Sequence, residues 1–457
     1  MLISSYHSSS FCFDIFWILT KFSNPSTRNR LRNRFHMFLC LFFFLTYASN
    51  KHPLAVENLY FSSKELIMNK PVTITRNEFA SKLETLRSVL VSHGYSSILL
   101  QAEGALRWLT GKRYQVVDIA PDAPTTVSVL VSVEYEQPSI QFISDSWEKF
   151  RVLDIIEEGI WNGMDVDVSY TEAPDIPKNG EILLPGQSSF TQIQREIVTP
   201  LAEKTEGNQY AKLQWLIGES RRTLVDSVRM LQEGMNGEDV RNLIYSMYHE
   251  RGMELNLVLI GLPGMEKHLH PVYDERKQVV KGKLIKLAVG ARYCDMFHSA
   301  SQMVKLDEEL SGPESQAYAA LRDAALAYAD LYRIENDEGM MYEKMGKVFQ
   351  EAARKHELPG FEKSAFLHHA GGPLSPLGNR DYTLVKGGTR RLIPYSQFAI
   401  NPIDCLVYTK FEVQGMVRPG REPLIFDDFH QCGEDASNFD VMPFHSQRLR
   451  LPKIIIG

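Results

Sequence analysis

FLHHAGGPLSPLGNRDY, Phe366 to Tyr382, is the stretch from which the rest of the chain can be read. It sets two histidines, His368 and His369, directly before Gly-Gly-Pro. Imidazole is the side chain best suited to moving protons near neutral pH and to binding metals. Gly371 and Gly372 carry no Cβ, so a turn at this point would let backbone approach a ligand closely. Three further stretches carry polar groups of the same kind. EKHLHPVYDERK holds His268 and His270 two residues apart, which puts them on one face if the segment is extended. FAINP holds Asn401 and Pro402, and YTKFEV places Glu412 inside an expected apolar strand. Each has a plain structural reading, as a satisfied core histidine, an Asn-Pro turn or a solvated glutamate. Their common placement in the second half, in the order His, His, Asn, Glu, is the more informative feature.

The chain has 457 residues, enough for two or three domains, with 44% hydrophobic and 23% charged residues. Its formal net charge of −6 offers no basic footprint for nucleic acid, and a peptide or small-molecule substrate fits better than a polyanion. The five cysteines, Cys12, Cys40, Cys294, Cys405 and Cys432, are scattered without C-x-x-C spacing. Neither a disulfide framework nor a cysteine zinc site is indicated, and a reducing, cytoplasmic setting is expected.

Residues 1–68 read differently from the rest. Two aromatic-rich runs flank Arg28, Arg30, Arg32 and Arg34, and the second run is too short to span a bilayer. The segment is either signal-like, which would imply export, or upstream sequence preceding a true start at Met68. The second reading is preferred, because organised periodicity begins soon after Met68.

From Asn77 the pattern predicts a helix with Phe79, Leu83, Leu86, Val89 and Leu90 on one face, stopped at Gly94. YSSILLQ, TVSVLVSV, SIQFIS and EILLPG read as strands; SWEKFRVLDIIEEGI and TQIQREIVTPLAEK read as helices. This is an alternating α/β domain over 69–206, closed by the polar segment Glu206 to Gln209. The second half, 207–457, opens with two helices, AKLQWLIGESRRTLVDSVRMLQE and NGEDVRNLIYSMYHERG. Strands LNLVLIG and KLIKLAVG follow, then helices ESQAYAALRDAALAYADLYR and MYEKMGKVFQEAARKHE. Strands SQFAINP, CLVYTKFEV and GMVRPG close an α+β domain.

In this second half the chain resembles the pita-bread enzymes: creatinase, Xaa-Pro aminopeptidase (aminopeptidase P), prolidase and methionine aminopeptidase. The shared elements are His270-Pro271, Ala291-Arg292, His368 to Pro373, Arg380 to Tyr382, Phe398 to Pro402 and Thr409 to Glu412. The resemblance runs from Thr75 to the C-terminus and rests on the order and spacing of these elements. It implies an α/β N-terminal creatinase-like domain followed by an α+β pita-bread catalytic-type domain, and a homodimer.

The metal-dependent enzymes of that group hold two ions with two Asp, one His and two Glu. By resemblance those positions are Ala288, Ser299, His369, Asn401 and Glu412, so only His369 and Glu412 keep a ligand type. Hard divalent ions need anionic oxygen ligands, and alanine, serine and asparagine do not supply them. No cofactor is therefore expected. Creatinase suggests a metal-free hydrolase of a C–N bond in a peptide or amidine-like substrate. There His270 would be the general acid/base, His369 a hydrogen-bond donor and Glu412 a substrate-polarising group, with His368, Asn401 and Arg380 binding substrate. A single ion on His270, His369 and Glu412 is another arrangement. The third is a scaffold that has lost catalysis and keeps a ligand-binding or interaction role. It is favoured by Lys286, Cys294 and His298 where the aspartate strand should run, and by Val413 after the retained glutamate. Asp295 and His298 are nearby polar candidates that a solvated position would also explain.

Overall fold

A computed structural model describes residues 70–426 except 112–125, 134–136, 174–181, 204–206, 309, 334–335, 375, 378–384 and 406; for residues 364 and 366–373 it describes the backbone only. The leader 1–68, Arg380, and the side chains of His368 and His369 lie outside what is described.

The first helix forms where the apolar spacing places it. α1 (Arg76–Ser92) starts at Thr75, whose side chain accepts from the Glu78 N–H, and buries Phe79, Leu83, Leu86 and Leu90. Val89 is half-buried against the same core, and Gly94 follows with φ 78°, a conformation that suits glycine. β1 (Ser97–Leu100), β2 (Val127–Ser132), β3 (Ser139–Ser144) and β5 (Ile182–Leu183) match the expected strands, as α3 (Lys149–Glu157) matches its helix. Two elements escaped the sequence reading: α2 (Glu103–Thr110), closed by Gly111 at φ 70°, and β4 (Asp167–Thr171). α4 (Phe190–Val198) ends earlier than TQIQREIVTPLAEK suggests. Pro200 has no N–H to continue the helix, which ends at Thr199 although that residue still has helical backbone.

These strands form one mixed sheet in the order β4-β3-β2-β1-β5. β1 pairs parallel with β5 and antiparallel with β2, and β3 pairs parallel with β4. Helices and sheet enclose Trp108, Phe142 and Trp161, with Phe79 and Phe142 against the Trp161 ring at 5.8 and 5.5 Å.

The second half supplies two antiparallel sheets. β6 (Glu254–Gly261), β7 (Ile285–Tyr293) and β8 (Met296–Val304) form one, in that order. β9 (Ala365–Leu374), β10 (Gln397–Asp404), β11 (Val413–Met416) and β12 (Leu424–Ile425) form the other. α5 (Asn208–Arg229) and α6 (Gly237–Glu250) pack on the first sheet. α7 (Gly312–Ala329) and α8 (Glu338–Lys355) pack on the second. α6 begins with a full capping box between Asn236 and Asp239.

Two polar knots tie early elements to late ones. Lys82 and Lys212 lie between Glu78 and Asp295, all four fully buried. They belong to α1, α5 and the β7–β8 turn, where Cys294 takes φ 54°. Asp295 and His298 are therefore buried, against the solvated placement allowed above, because each has partners that only the folded chain supplies. The second knot is at the surface. Arg107 of α2 holds both oxygens of Glu254 at 3.0 Å, and Arg292 reaches the same carboxylate at 2.8 Å. Burial pushes the Glu254 carboxyl up, but the hydrogen bonds from Arg107 and Arg292 outweigh it and hold it down at about 2. A depressed carboxyl stabilises the fold above its unfolded value and loses that contribution as pH falls toward 2. In an acid titration followed by circular dichroism, the Glu254→Gln protein should lose less stability between pH 5 and pH 2 than the parent.

Candidate functional site

β7 brings Lys286, Ala288 and Gly290 to one face, because side chains alternate along a strand. Register pairs Ala288 with Ser301 and Gly290 with Ser299, so these serines share that face. The Ser299 hydroxyl donates to Glu412 Oε1 at 2.5 Å, both side chains being buried. Glu412 Oε2 lies 3.7 Å from the ammonium of Lys410. The retained glutamate is thus held between a hydroxyl and an ammonium, and the position matched to the second aspartate is the one that touches it.

Glu412 is not inside a strand, as YTKFEV suggested, but one residue before β11. The chain leaves β10 through a loop instead. The Asp404 carboxylate accepts from the Val407 N–H at 2.9 Å, Tyr408 takes φ 61°, and Lys410 bridges back to Ile403. That loop carries Thr409, Lys410 and Glu412 into the protein, where all three are buried.

The HHAGGP stretch is also not a turn. It runs within β9, pairing with β10. Pro373 lies opposite Phe398 on the edge strand of the sheet, where a missing N–H costs no ladder bond on the outer side. Asn401 pairs with His368 and Ala399 with Gly372, so His369, Ala370 and Gly371 stand against the single residue Ile400. Irregularities of this kind are frequent beside active sites, because they re-aim the side chains that follow. Asn401 itself is in strand, not in an Asn-Pro turn, and its buried Oδ1 has no hydrogen-bond partner among the described residues.

His268 and His270 sit in the irregular segment after β6, and both are exposed, so the shared strand face does not form. Burial and the Lys410 charge lower the His270 imidazole below its ordinary value. Lys410 therefore links the two ends of the predicted set: it is near His270 and next to Glu412. Lys286, one of the residues standing where the aspartate strand is expected, belongs here too. It is 4% exposed, and its ammonium donates to the His268 carbonyl at 3.4 Å. Burial, then the Lys410 charge, lower it to about 8. A lysine in the middle of LIKLAVG was the available signal.

His298 is built differently. Gln414 Oε1 accepts from the Ser299 N–H at 3.2 Å, and Gln414 Nε2 donates to Phe297 O and Gln397 Oε1 at 3.0 Å each. With that amide orientation, His298 Nδ1, 2.9 Å from Oε1, carries the proton. Burial and the Arg221 charge push His298 down to about 3 despite this bond, so the ring is neutral. His298 and Ser299 are adjacent in a strand, so their side chains point to opposite faces and His298 is turned away from Glu412.

The donor set does not fit a dinuclear metal centre. Ala288 has no donor, Ser299 spends its hydroxyl on Glu412, and Lys410 faces the remaining carboxylate oxygen. An ammonium within 4 Å of a carboxylate disfavours a dication on the same oxygen. Among the described residues, no group of three or more His, Cys, Asp or Glu side chains is placed to hold a metal ion.

No protein-family model and no curated protein matches the sequence. Solved structures do match. Dipeptidase PepE from Mycobacterium ulcerans is 15% identical, with a TM-score of 0.54 over 77% of this chain and 96% of its own. The prolidase from Pyrococcus horikoshii OT3 is 10% identical, with a TM-score of 0.55 over 76% and 97%. A variant of Escherichia coli aminopeptidase P is 12% identical, with a TM-score of 0.55 over 80% and 97%. The chain has the pita-bread fold of these peptidases. At such identities the likeness concerns the fold, and function has to be argued from the site. Among the described residues, no helix of this pita-bread protein is long and apolar enough to cross a membrane.

Proposed function

We propose that this pita-bread protein is a metal-independent binder of a peptide or small molecule, its former catalytic face remade as a recognition site. One observation carries the reading. The glutamate matched to a metal ligand is occupied by Ser299 and Lys410, and a second buried lysine, Lys286, shares the strand face of Ala288. Lysine ammonium groups supply the positive charge that divalent ions supply in the metalloenzymes. A fixed cation can anchor a ligand, but it cannot bind and deprotonate water as a metal does. The purified chain should show no turnover of Xaa-Pro peptides or guanidino compounds, with or without added zinc, manganese or cobalt. Specific, mutation-sensitive turnover would sink the binding reading.

A second reading has its own support. His270 is pushed below its ordinary value, so it is an unprotonated base at neutral pH beside Lys410, which itself adjoins Glu412. A metal-free hydrolase of a C–N bond would use His270 as acid/base, Glu412 and His369 at the substrate, and His368, Asn401 and Arg380 to bind it. Its signature is hydrolysis that survives a chelator and is lost in both His270→Ala and Glu412→Gln. The homodimer and the cytoplasmic setting stay within this proposal.

A further inference from the structure

α3, in the first half of the chain, exposes what a surface helix normally hides. Such a helix turns its apolar stripe to the core and its charges to water. α3 does bury Val152, yet it leaves Phe150 78% and Leu153 39% exposed, and Trp147, in the turn that leads into it, is 90% exposed. Residues three or four apart are neighbours on a helix, so Phe150, Leu153, Asp154 and Glu157 form one outward stripe, with Trp147 at its N-terminal end. Single exposed apolar side chains are ordinary, but several side by side mark a contact surface. Distances place two further carboxylates at the Trp147 end. The Trp147 N–H donates to the Asp145 carboxylate at 3.1 Å. The Tyr170 hydroxyl lies 3.4 Å from the Asp145 carbonyl and 3.5 Å from a Glu172 carboxylate oxygen, which sets Glu172 beside Asp145.

Charge decides what would cover this surface. Asp145, Asp154, Glu157 and Glu172 are all exposed, and none of the four has an ion pair among the described residues. Residues 145–158 with Glu172 carry six acidic side chains and two basic ones, so the surface is net negative with every charge counted. The two cations are engaged locally: Arg151 pairs with Glu148, and the Lys149 ammonium lies 5.6 Å from the Tyr170 ring. A second copy of the chain is a poor occupant, because a two-fold contact would set this acidic face against itself. Anionic membranes are repelled for the same reason. We propose that the outer face of α3 docks a basic amphipathic segment of a partner protein. Its apolar side chains cover Trp147, Phe150 and Leu153, and its lysines or arginines meet the four carboxylates around them. Trp147 is the principal anchor, since tryptophan offers the largest apolar area of the three. The surface belongs to α3 and the end of β4, so the proposal stands apart from both readings of the second-half site.

The test is fluorescence anisotropy of a labelled synthetic amphipathic helix of leucine and lysine, titrated with the full chain. Two peptides serve as controls: the same composition reordered so that the leucines share no face, and the same pattern with glutamate in place of lysine. The amphipathic lysine peptide should bind about tenfold tighter than the reordered one, and the glutamate peptide should not bind. Trp147→Ser with Phe150→Ser should weaken binding about tenfold or more, and so should Asp154→Lys with Glu157→Lys. Thermal melting should change little in either double variant, because all four side chains are exposed. Absence of binding, equal binding of the reordered peptide, or affinity that survives either double variant would overturn the proposal. So would binding of the parent to phosphatidylserine vesicles that is lost with Trp147 and Phe150, or a parent dimer that the same pair of substitutions makes monomeric in analytical ultracentrifugation. The peptide comparisons need no variant, so a misfolded one would not spoil the test.

Discussion

Asp295→Ala should destabilise the protein by about 3–5 kcal/mol, the usual cost of breaking a buried ion pair from one side. Asp295 Oδ1 holds Lys212 at 2.5 Å, and Oδ2 holds Lys82 and the Gln209 amide at 2.9 Å each. Removing it leaves two fully buried ammonium groups on the one carboxylate of Glu78, whose Oε1 already accepts from both lysines. Each half of the chain contributes to this knot, so its loss should loosen the association of α1 with α5 and the β7–β8 turn, and not one element alone. Urea unfolding followed by tryptophan fluorescence would measure it, because Trp108 lies against Lys82, with the ammonium 5.6 Å from the ring. Replacing Glu78, Lys82, Lys212 and Asp295 together by apolar residues of similar size should cost far less, since no uncompensated charge would remain. A single Asp295→Ala protein within 1 kcal/mol of the parent would show that the knot is not what holds these elements. The same logic gives its pH dependence. Burial would raise the Asp295 carboxyl, but Lys212 and Lys82 prevail and hold it well below the usual carboxylate range. Its contribution is complete above the unfolded value near 4 and is lost only in strong acid.

Gln414→Leu should have the second largest effect, about 3–5 kcal/mol, from buried polar groups left without partners at ~1–3 kcal/mol each. One amide serves four neighbours: the His298 ring, the Ser299 N–H, the Phe297 carbonyl and the Gln397 side chain. Three of these lie on or beside β8 and one on β10, so Gln414 of β11 joins the two sheets of the second half. Leucine fills a similar volume but satisfies none of them. The position also fixes the His298 tautomer, so a nitrogen-resolved NMR spectrum gives an independent readout. In the parent, His298 should remain neutral with the proton on Nδ1 through pH 4. In Gln414→Leu the tautomers should mix. A variant that kept both stability and tautomer would mean that another group carries this junction.

Much of the scaffold was legible from periodicity alone. Phe79, Leu83, Leu86 and Leu90 recur at helical spacing and are buried, and SIQFIS alternates as a half-buried strand should. The failures are instructive. HHAGGP carries the composition of a turn, yet pairing with β10 overrides it, because register is set by long-range partners. CLVYTKFEV has the composition of a strand, yet the Asp404 side chain and the left-handed Tyr408 make it a loop.

What the sequence by itself determined is the fold type and most of its elements, since those depend on residue pattern and local spacing. It could not decide the electrostatics of the site. Ser299 and Glu412 are 113 positions apart, and whether a hydroxyl meets a carboxylate depends on which strand faces meet. Tertiary structure alone turned Asp295 and His298 inward, set Ser299 and Lys410 on Glu412, and left Lys286 buried with one long hydrogen bond. The physical reason is that desolvation and charge pairing act through space at a few ångströms, a distance that the spacing of residues along a chain does not encode.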